Sequence, residues 1–229
     1  QDDVFRFNPG ALYALYTDYA MWMRDYDKAI LYSGKLMDLK RYSLLKGTEF
    51  AQVCADGTTS ENIWTMKWSY QNNKQNWIIY MMCRTSAPQM IPSEGVKNLW
   101  NTEEYRMDLR RYQTIDTTIV YASNHISSPN GDASIWKWQP GERVIEANEK
   151  YVPFYRYADI LLLRAEALNK QQRQEEALEL LNMIRERAGL SLKTMADFTN
   201  TSDRTLAMEM LSFRKGNWNC WVRDAVGLT

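Results

Sequence analysis

Two stretches of this sequence carry the same helical period in the same arrangement, and that repetition constrains the fold more than any other feature. From about Gly10 to Tyr42, the residues Ala11, Leu12, Leu15, Tyr16, Tyr19 and Trp22 form one stripe of i, i+3, i+4 type. Asp25 interrupts it, and Ala29, Ile30, Ser33, Leu36 and Met37 form a second stripe. The pattern from Tyr155 to Ala188 is stronger. Ile160, Leu161, Leu163, Ala165, Ala167 and Leu168 precede a polar break at Lys170 to Arg173, and Ala177, Leu178, Leu180, Leu181 and Ile184 follow it. Apolar recurrence at this interval is the period of an α-helix with one buried face. Asp25 has the chemistry of an N-cap, whose side chain accepts from the free amides of a first turn. Gly189 stands just past the last periodic turn, where a glycine commonly closes a helix. Arg185 and Arg187 lie in that turn, where positive charge meets the negative end of the helix dipole. Each stretch therefore predicts a pair of helices folded back on each other.

The two pairs share a spacing. Thr17 stands twelve residues before Ala29, and Ala165 stands twelve before Ala177. Small residues at those places let two antiparallel helices approach closely, which is the physical basis of a tetratricopeptide-type unit. More than a hundred residues separate the units, so an uninterrupted solenoid is not expected. The expected fold class is mainly α, with tetratricopeptide-like hairpins and a long loop-rich insert containing a few short strands. The expected divisions of a single domain are a first hairpin at 8–45, the insert at 47–152, a second hairpin at 153–190, and a C-terminal helix and tail at 203–229.

The insert has a different character. Ile63 to Tyr70 alternates as a strand does. Gln71 to Asn76 is rich in amides, and Trp77 to Met82 is a short apolar run. Pro88, Pro92 and Pro129-Asn130-Gly131 mark loops. Ser93 to Trp100 predicts a short helix capped by Ser93. A long loop-rich insert on a helical scaffold is a common seat of function.

Charge and composition exclude several classes. Lys+Arg and Asp+Glu are both 28, for a net charge of zero. That balance argues against binding to nucleic acid by phosphate neutralisation and against a polybasic membrane module. No apolar run is long enough to span a bilayer. The one histidine, His125, cannot supply a two- or three-histidine metal site. Cys54, Cys83 and Cys220 lack the spacing of a zinc framework. Gln1-Asp2-Asp3 opens the chain with no export signal. The nine Trp and 14 Tyr outnumber six Phe. Such residues join an apolar ring to a polar tip and suit wet aromatic surfaces as well as helix interfaces.

The residues of the second hairpin carry a family likeness. Tyr155-Arg156-Tyr157-Ala158-Asp159-Ile160-Leu161-Leu162-Leu163-Arg164-Ala165-Glu166-Ala167-Leu168-Asn169 resembles the most recognisable helix of the SusD/RagB family. Glu176-Ala177-Leu178, Asn182, Arg185 and Arg187-Ala188-Gly189-Leu190 resemble its partner helix. Lys40-Arg41-Tyr42-Ser43-Leu44 is similar to the end of the family's earlier hairpin, and Asn62-Ile63-Trp64 and Asp108-Leu109-Arg110-Arg111 also fit. The likeness spans most of residues 8–213. After it, Leu211 to Arg223 keeps the family's Leu, Phe, Trp and terminal Arg but not its acidic and glycine positions. Family members are surface nutrient-binding lipoproteins of Bacteroidetes outer membranes, about twice as long as this chain. The resemblance thus implies a missing N-terminal part with the export signal and the lipidated cysteine. It implies non-catalytic capture of an oligosaccharide, lipid-anchored at the cell surface, and delivery to a SusC-like TonB-dependent transporter. A peptide ligand in the same family, or an interaction scaffold without a small ligand, are the alternatives. No cofactor, metal or nucleic-acid partner is implied.

Glycan capture needs exposed aromatic faces for sugar C–H groups and amides or charges for the hydroxyls. The segment from Trp64 to Trp77 holds both kinds. Trp64, Met66 and Trp68 share one face of a strand and Thr65, Lys67 and Ser69 the other; the Trp face either packs onto the helices or meets ligand. The ligand-binding residues expected are Trp77, Tyr80, Asn73, Gln75, Trp68 and, as an outside candidate, Trp100. Trp136 and Trp138 are expected to pack. Glu103, Glu104 and Asp108 have no spacing that selects a glycosidase pair, and no catalytic residue is expected. Arg156 and Glu166 are expected to make interhelix hydrogen bonds rather than to touch ligand.

Overall fold

The computed structural model describes residues 4–68, 98, 101–116, 134–135 and 151–198. His125, Trp136, Trp138, nearly all of the helix expected at 93–100, and the helix and tail expected at 203–229 lie outside the described residues. The described elements are α1 (Pro9–Trp22), α2 (Tyr26–Asp38), α3 (Gln52–Ala55), β1 (Asn62–Met66), α4 (Arg111–Thr114), β2 (Ile115–Asp116), β3 (Ser134–Ile135), β4 (Val152–Arg156), α5 (Tyr157–Lys170) and α6 (Gln174–Arg187). The fold is mainly helical. β1 pairs antiparallel with β4, and β2 with β3, as two small ribbons.

Local chemistry sets the helix ends. Asn8 caps α1 by accepting from the Ala11 amide at 2.9 Å, and Pro9 occupies the first helical position, where its missing N–H costs nothing. Asp25 caps α2 by accepting from the Lys28 amide at 3.2 Å. At the end of α6 the Gly189 amide donates to Glu186 and the Leu190 amide to Arg185, both at 2.9 Å. Gly189 has φ +75°, the left-handed conformation this closing motif requires.

The two hairpins are one unit used twice, 148 residues apart. Arg24 (φ +57°) and Gln172 (φ +61°) take the same left-handed place in the two turns. Asp25 donates its amide to the Ala20 carbonyl at 2.8 Å, and Arg173 donates to Leu168 at 2.9 Å. The amides of Ala29 and Ala177 reach back to Asp25 and Arg173 at 3.0 and 3.1 Å. Thr17, Ala29, Ala165 and Ala177 are all fully buried, as close helix approach demands. The helices pack in the row α1, α2, α5, α6, with each on the next. One core lies between α5 and α6, where Leu161, Leu162, Leu168, Leu181 and Ile184 are buried. Each such side chain contributes about 1.5–3 kcal/mol through burial. A second core joins Ala11, Ala14 and Leu36 to Ile160, Leu163 and the strand residue Ile63.

One face differs from the sequence reading. α1 buries Ala11, Ala14, Thr17 and Ala20, the small side of the helix. Leu15, Tyr16, Tyr19 and Trp22, the bulky part of the expected stripe, are exposed. α1 is apolar on both sides, so bulk alone misassigns its inner face.

A buried charge network locks the second hairpin to the rest. Arg187 Nη1 donates to both Glu61 carboxylate oxygens at 2.9 and 3.2 Å. Arg156 binds Asp159 through Nη2 at 2.8 Å and Nε at 3.1 Å, with Nη1 3.8 Å from Glu61. The Leu45 amide donates to Glu61 at 3.0 Å. Phe50 presents its ring to both guanidiniums, at 5.2 Å from Arg187 and 6.0 Å from Arg156. Arg156 is structural, as expected, but the bonds named here run to Asp159 of the helix it caps and toward Glu61 beside β1, not from one helix to another. Charges this deep are tolerated only when paired and hydrogen-bonded.

Candidate functional site: an aromatic ribbon at the root of the insert

β1 and β4 form the base from which the insert departs. Their register runs Asn62 with Arg156, Trp64 with Tyr155, Thr65 with Pro153 and Met66 with Val152, with irregularities on either side of Trp64. Residues 4–8 run along the other edge of β1: the Thr65 amide donates to the Val4 carbonyl at 2.9 Å, and Asn8 Nδ2 donates to the Ile63 carbonyl at 2.9 Å. Ile63, Thr65 and Pro153 are buried against the body of the protein. Alternation then turns Trp64, Met66 and Phe154 the other way.

That outer side is a strip of aromatic rings. Trp64 stacks on Phe154 with centroids 4.4 Å apart and planes at 24°. Phe7 meets Trp64 edge-on at 5.4 Å. Phe5 lies 5.4 Å from Tyr151, and Lys67 Nζ stands 5.2 Å from the Phe5 ring. Phe7 and Met66 are exposed, while Trp64 and Phe154 are half-buried. Trp64 also touches the edge of the helix core. The Trp face therefore meets the helices at Trp64 and is exposed at Met66, while Thr65 on the opposite face is buried.

Of the expected ligand residues, Trp68 follows the end of this strip. It is half-buried, and its indole Nε1 is buried with no hydrogen-bond partner among the described residues. Asn73, Gln75, Trp77, Tyr80 and Trp100 lie outside the described residues. The aromatic strip leads directly into the segment that holds most of them.

Two of the three carboxylates weighed for catalysis, Asp108 and Glu104, are engaged elsewhere, and Glu103 is exposed. Asp108 is fully buried and accepts from Arg110 Nε at 2.9 Å and Nη2 at 2.5 Å. Glu104 accepts from Arg185 Nη2 at 2.7 Å and lies 2.9 Å from Lys193 Nζ. Partial burial opposes ionisation of Glu104, but the hydrogen bonds from Lys193 and Arg185 outweigh it and hold the carboxyl below its ordinary range. Among the described residues, no group of three or more His, Cys, Asp or Glu could hold a metal ion. Among the same residues, no helix is long and apolar enough to cross a membrane.

Two surfaces were not singled out by sequence reasoning. One is the strand β4 itself, where Tyr155 and Arg156 precede the helix rather than open it. The alternation of Phe154 and Val152 around Pro153 was the available signal. The other is the end of the first hairpin, where Trp22, Arg24 and Tyr26 form a groove of about 630 Å³ with Met21, Glu166 and Lys170.

Stacked helical hairpins with a ribbon-rooted insert define a helical-repeat protein whose aromatic surface lies off the repeats. Comparison with known proteins places it further. Residues 134–214 match the sequence profile of the SusD family. A SusD-like protein of Formosa agariphila is 49% identical over 53 residues, covering 22% of this chain and 10% of that protein. A SusD superfamily structure from Parabacteroides distasonis superposes with a TM-score of 0.71 at 18% identity, over 96% of this chain and 51% of that one. The surface glycan-binding protein A of Bacteroides uniformis does so with a TM-score of 0.61 at 19% identity, over 96% and 50%. These superpositions show the fold, and residues 134–214 in addition resemble the SusD family in sequence. The chain spans about half the length of these solved relatives.

Proposed function

We propose that the protein binds an oligosaccharide at the cell surface without cleaving it and hands it to a TonB-dependent outer-membrane transporter. The observation that carries this reading is the aromatic strip of Phe7, Trp64 and Phe154 leading through Trp68 into the amide-rich segment. Sugar rings present C–H groups to aromatic faces and hydroxyls to amides and charges; the strip offers the rings with Lys67 beside Phe5, and the amides follow it in the sequence. Two further facts support it. A superposable relative is named as a surface glycan-binding protein. The acidic residues nearest a glycosidase arrangement, Glu104 and Asp108, are engaged with Arg and Lys partners.

In this reading Trp68, Trp77 and Tyr80 supply stacking faces, Asn73 and Gln75 bind hydroxyls, and Trp100 borders the site. The helical hairpins are scaffold, and the whole protein is lipid-anchored in the outer membrane. The test is a glycan array probed with the full-length protein and with its Trp77→Ala and Tyr80→Ala variants. Binding of one polysaccharide class that both variants weaken by about tenfold or more agrees with one to two lost stacking contacts. Binding that both variants retain removes the site from the insert. Binding to peptides alone replaces the oligosaccharide.

A further inference from the structure

The buried charge network leaves one guanidinium edge unused. Arg187 binds Glu61 through Nη1 alone. Its Nε and Nη2 are shut away from solvent and have no hydrogen-bond partner among the described residues. These two nitrogens form the flat side of a guanidinium, whose parallel N–H groups fit the two oxygens of a carboxylate or hold one small anion between them. Other arginines of the chain show what that side does here. Arg110 turns it on Asp108, Arg156 on Asp159 and Arg173 on Glu176. Arg185 divides it between the Ser191 carbonyl and Glu104. Arg187, whose side chain is only 4% exposed, is the exception among them.

Charge decides what the edge can take. A buried N–H group needs a partner, because nothing in an apolar interior replaces the water it gave up. Arg110, Arg156 and Arg187 are set against three carboxylates, Asp108, Asp159 and Glu61. Arg110 holds Asp108 and Arg156 holds Asp159, so Arg187 is left with Glu61, which it shares with Arg156. Burial disfavours the charge on Arg187, Glu61 favours it, and the charges of Arg110 and Arg156 oppose it. A guanidinium does not release its proton inside a protein, so the positive charge stays at the open edge. The Phe50 ring lies 5.2 Å from this guanidinium and makes no hydrogen bond to the edge. A groove of about 480 Å³, lined by Leu45, Lys46, Gly47, Leu109, Glu186 and Arg187, opens beside it. Because both nitrogens are sealed from that groove, the occupant is small.

We propose that the Nε/Nη2 edge of Arg187 is a buried binding site for one small monovalent anion of the chloride class. The ion would be a structural ligand at the junction of β1, α5 and α6, and it would link the stability of the fold to halide concentration. This inference stands apart from the carbohydrate reading.

The test uses the full-length protein with halides as probes. Thermal midpoints are compared in sodium gluconate and in sodium chloride or bromide at equal ionic strength, so that screening is the same. Gluconate is too large for a sealed site. The midpoint should rise with halide and go on rising with each tenfold increase above the dissociation constant, as for any ligand of the folded state alone. Crystals grown in bromide should show anomalous density within hydrogen-bond distance of Arg187 Nε and Nη2. Arg187→Lys keeps the charge but not the paired N–H edge, and should lose the halide response. If that variant does not fold, Glu61→Gln serves in its place. It leaves more positive charge at the junction, so its midpoint should respond at about tenfold lower halide. Water or a carboxylate of the protein itself on the edge, with no halide-specific shift, would overturn the proposal. A shift that survives in Arg187→Lys places the ion elsewhere and overturns it. Bromide density without a shift in solution means binding at crystal concentration only, and overturns it as well.

Discussion

Glu61 and Arg187 stand 126 residues apart in the chain and meet through two hydrogen bonds that one guanidinium nitrogen donates to the two carboxylate oxygens. Both side chains are buried, and Glu61 also approaches Arg156 and accepts from the Leu45 amide. One carboxylate therefore faces two guanidiniums at the junction of β1, α5 and α6.

Removing that carboxylate leaves buried positive charge without its counter-ion. Glu61→Ala is expected to destabilise the protein by about 3–5 kcal/mol, the usual cost of breaking a buried pair from one side. Chemical denaturation with urea checks this. A loss below about 1 kcal/mol would place the pair among surface-like contacts.

Gly47 packs against the end of α6. A Cβ there would run into the Arg187 carbonyl oxygen and the Leu109 side chain. The carbonyl is backbone at the end of a helix and has little room to yield. Gly47→Ala is expected to cost about 1–3 kcal/mol or more through overpacking. Gly57→Ala is the comparison, because the atoms nearest its Cβ would be side-chain rings, of Phe5 and Tyr151, rather than backbone. The thermal midpoint of Gly47→Ala should fall further than that of Gly57→Ala.

Glu104 gives a pH dependence. Its carboxyl titrates lower folded than unfolded, because the hydrogen bonds from Lys193 and Arg185 outweigh the opposing effect of burial. Its ion pairs therefore contribute stability above the unfolded value, near pH 4.3, and lose it as pH falls through the folded value. The side chain is more than a third exposed, so the contribution at neutral pH is about 1 kcal/mol or less. Glu104→Gln should be less stable than the parent at pH 7 and converge with it as pH falls below the folded value. A stability gap that persists undiminished in acid contradicts the ion-pair account.

How much of this was legible in the sequence depends on whether the signal was local. The helical period, the Asp25 cap, the Gly189 closure and the twelve-residue spacing of small residues are local, and the structure places them as read. The inner face of α1 was misread, because Ala11, Ala14 and Ala20 fill it while Leu15, Tyr19 and Trp22 point out. Close packing chose the small side, and a helix apolar all round gives no moment to say so. The ion network was half legible. Arg156 announced a buried partner, but Glu61 and Arg187 share no spacing that links them. Alternation revealed β1 as a strand, whereas its partner β4 was hidden in the approach to a helix. The strip of Phe5, Phe7, Trp64, Tyr151 and Phe154 is assembled from three separate segments, so no single window of sequence contains it.

Trp64 tests the ribbon as a structural base. Its stacking on Phe154 and edge contact with Phe7 make Trp64→Ala a loss of about 2–4 kcal/mol, toward the lower end because the ring is half-buried. Trp64→Phe should recover much of it. Guanidinium melts of the two variants decide this, and equal stability of Trp64→Ala and parent would remove the ring from the account.

The central claim is that the aromatic surface of this protein takes an oligosaccharide and leaves it intact. The most direct measurement is a titration of tryptophan fluorescence with purified oligosaccharides, followed by analysis of the recovered sugar. The account predicts a saturable change with at least one oligosaccharide, its weakening in Trp68→Ala and Trp77→Ala, and no shortened product after long incubation. No binding to any oligosaccharide, or release of shorter sugars from a bound one, would contradict it.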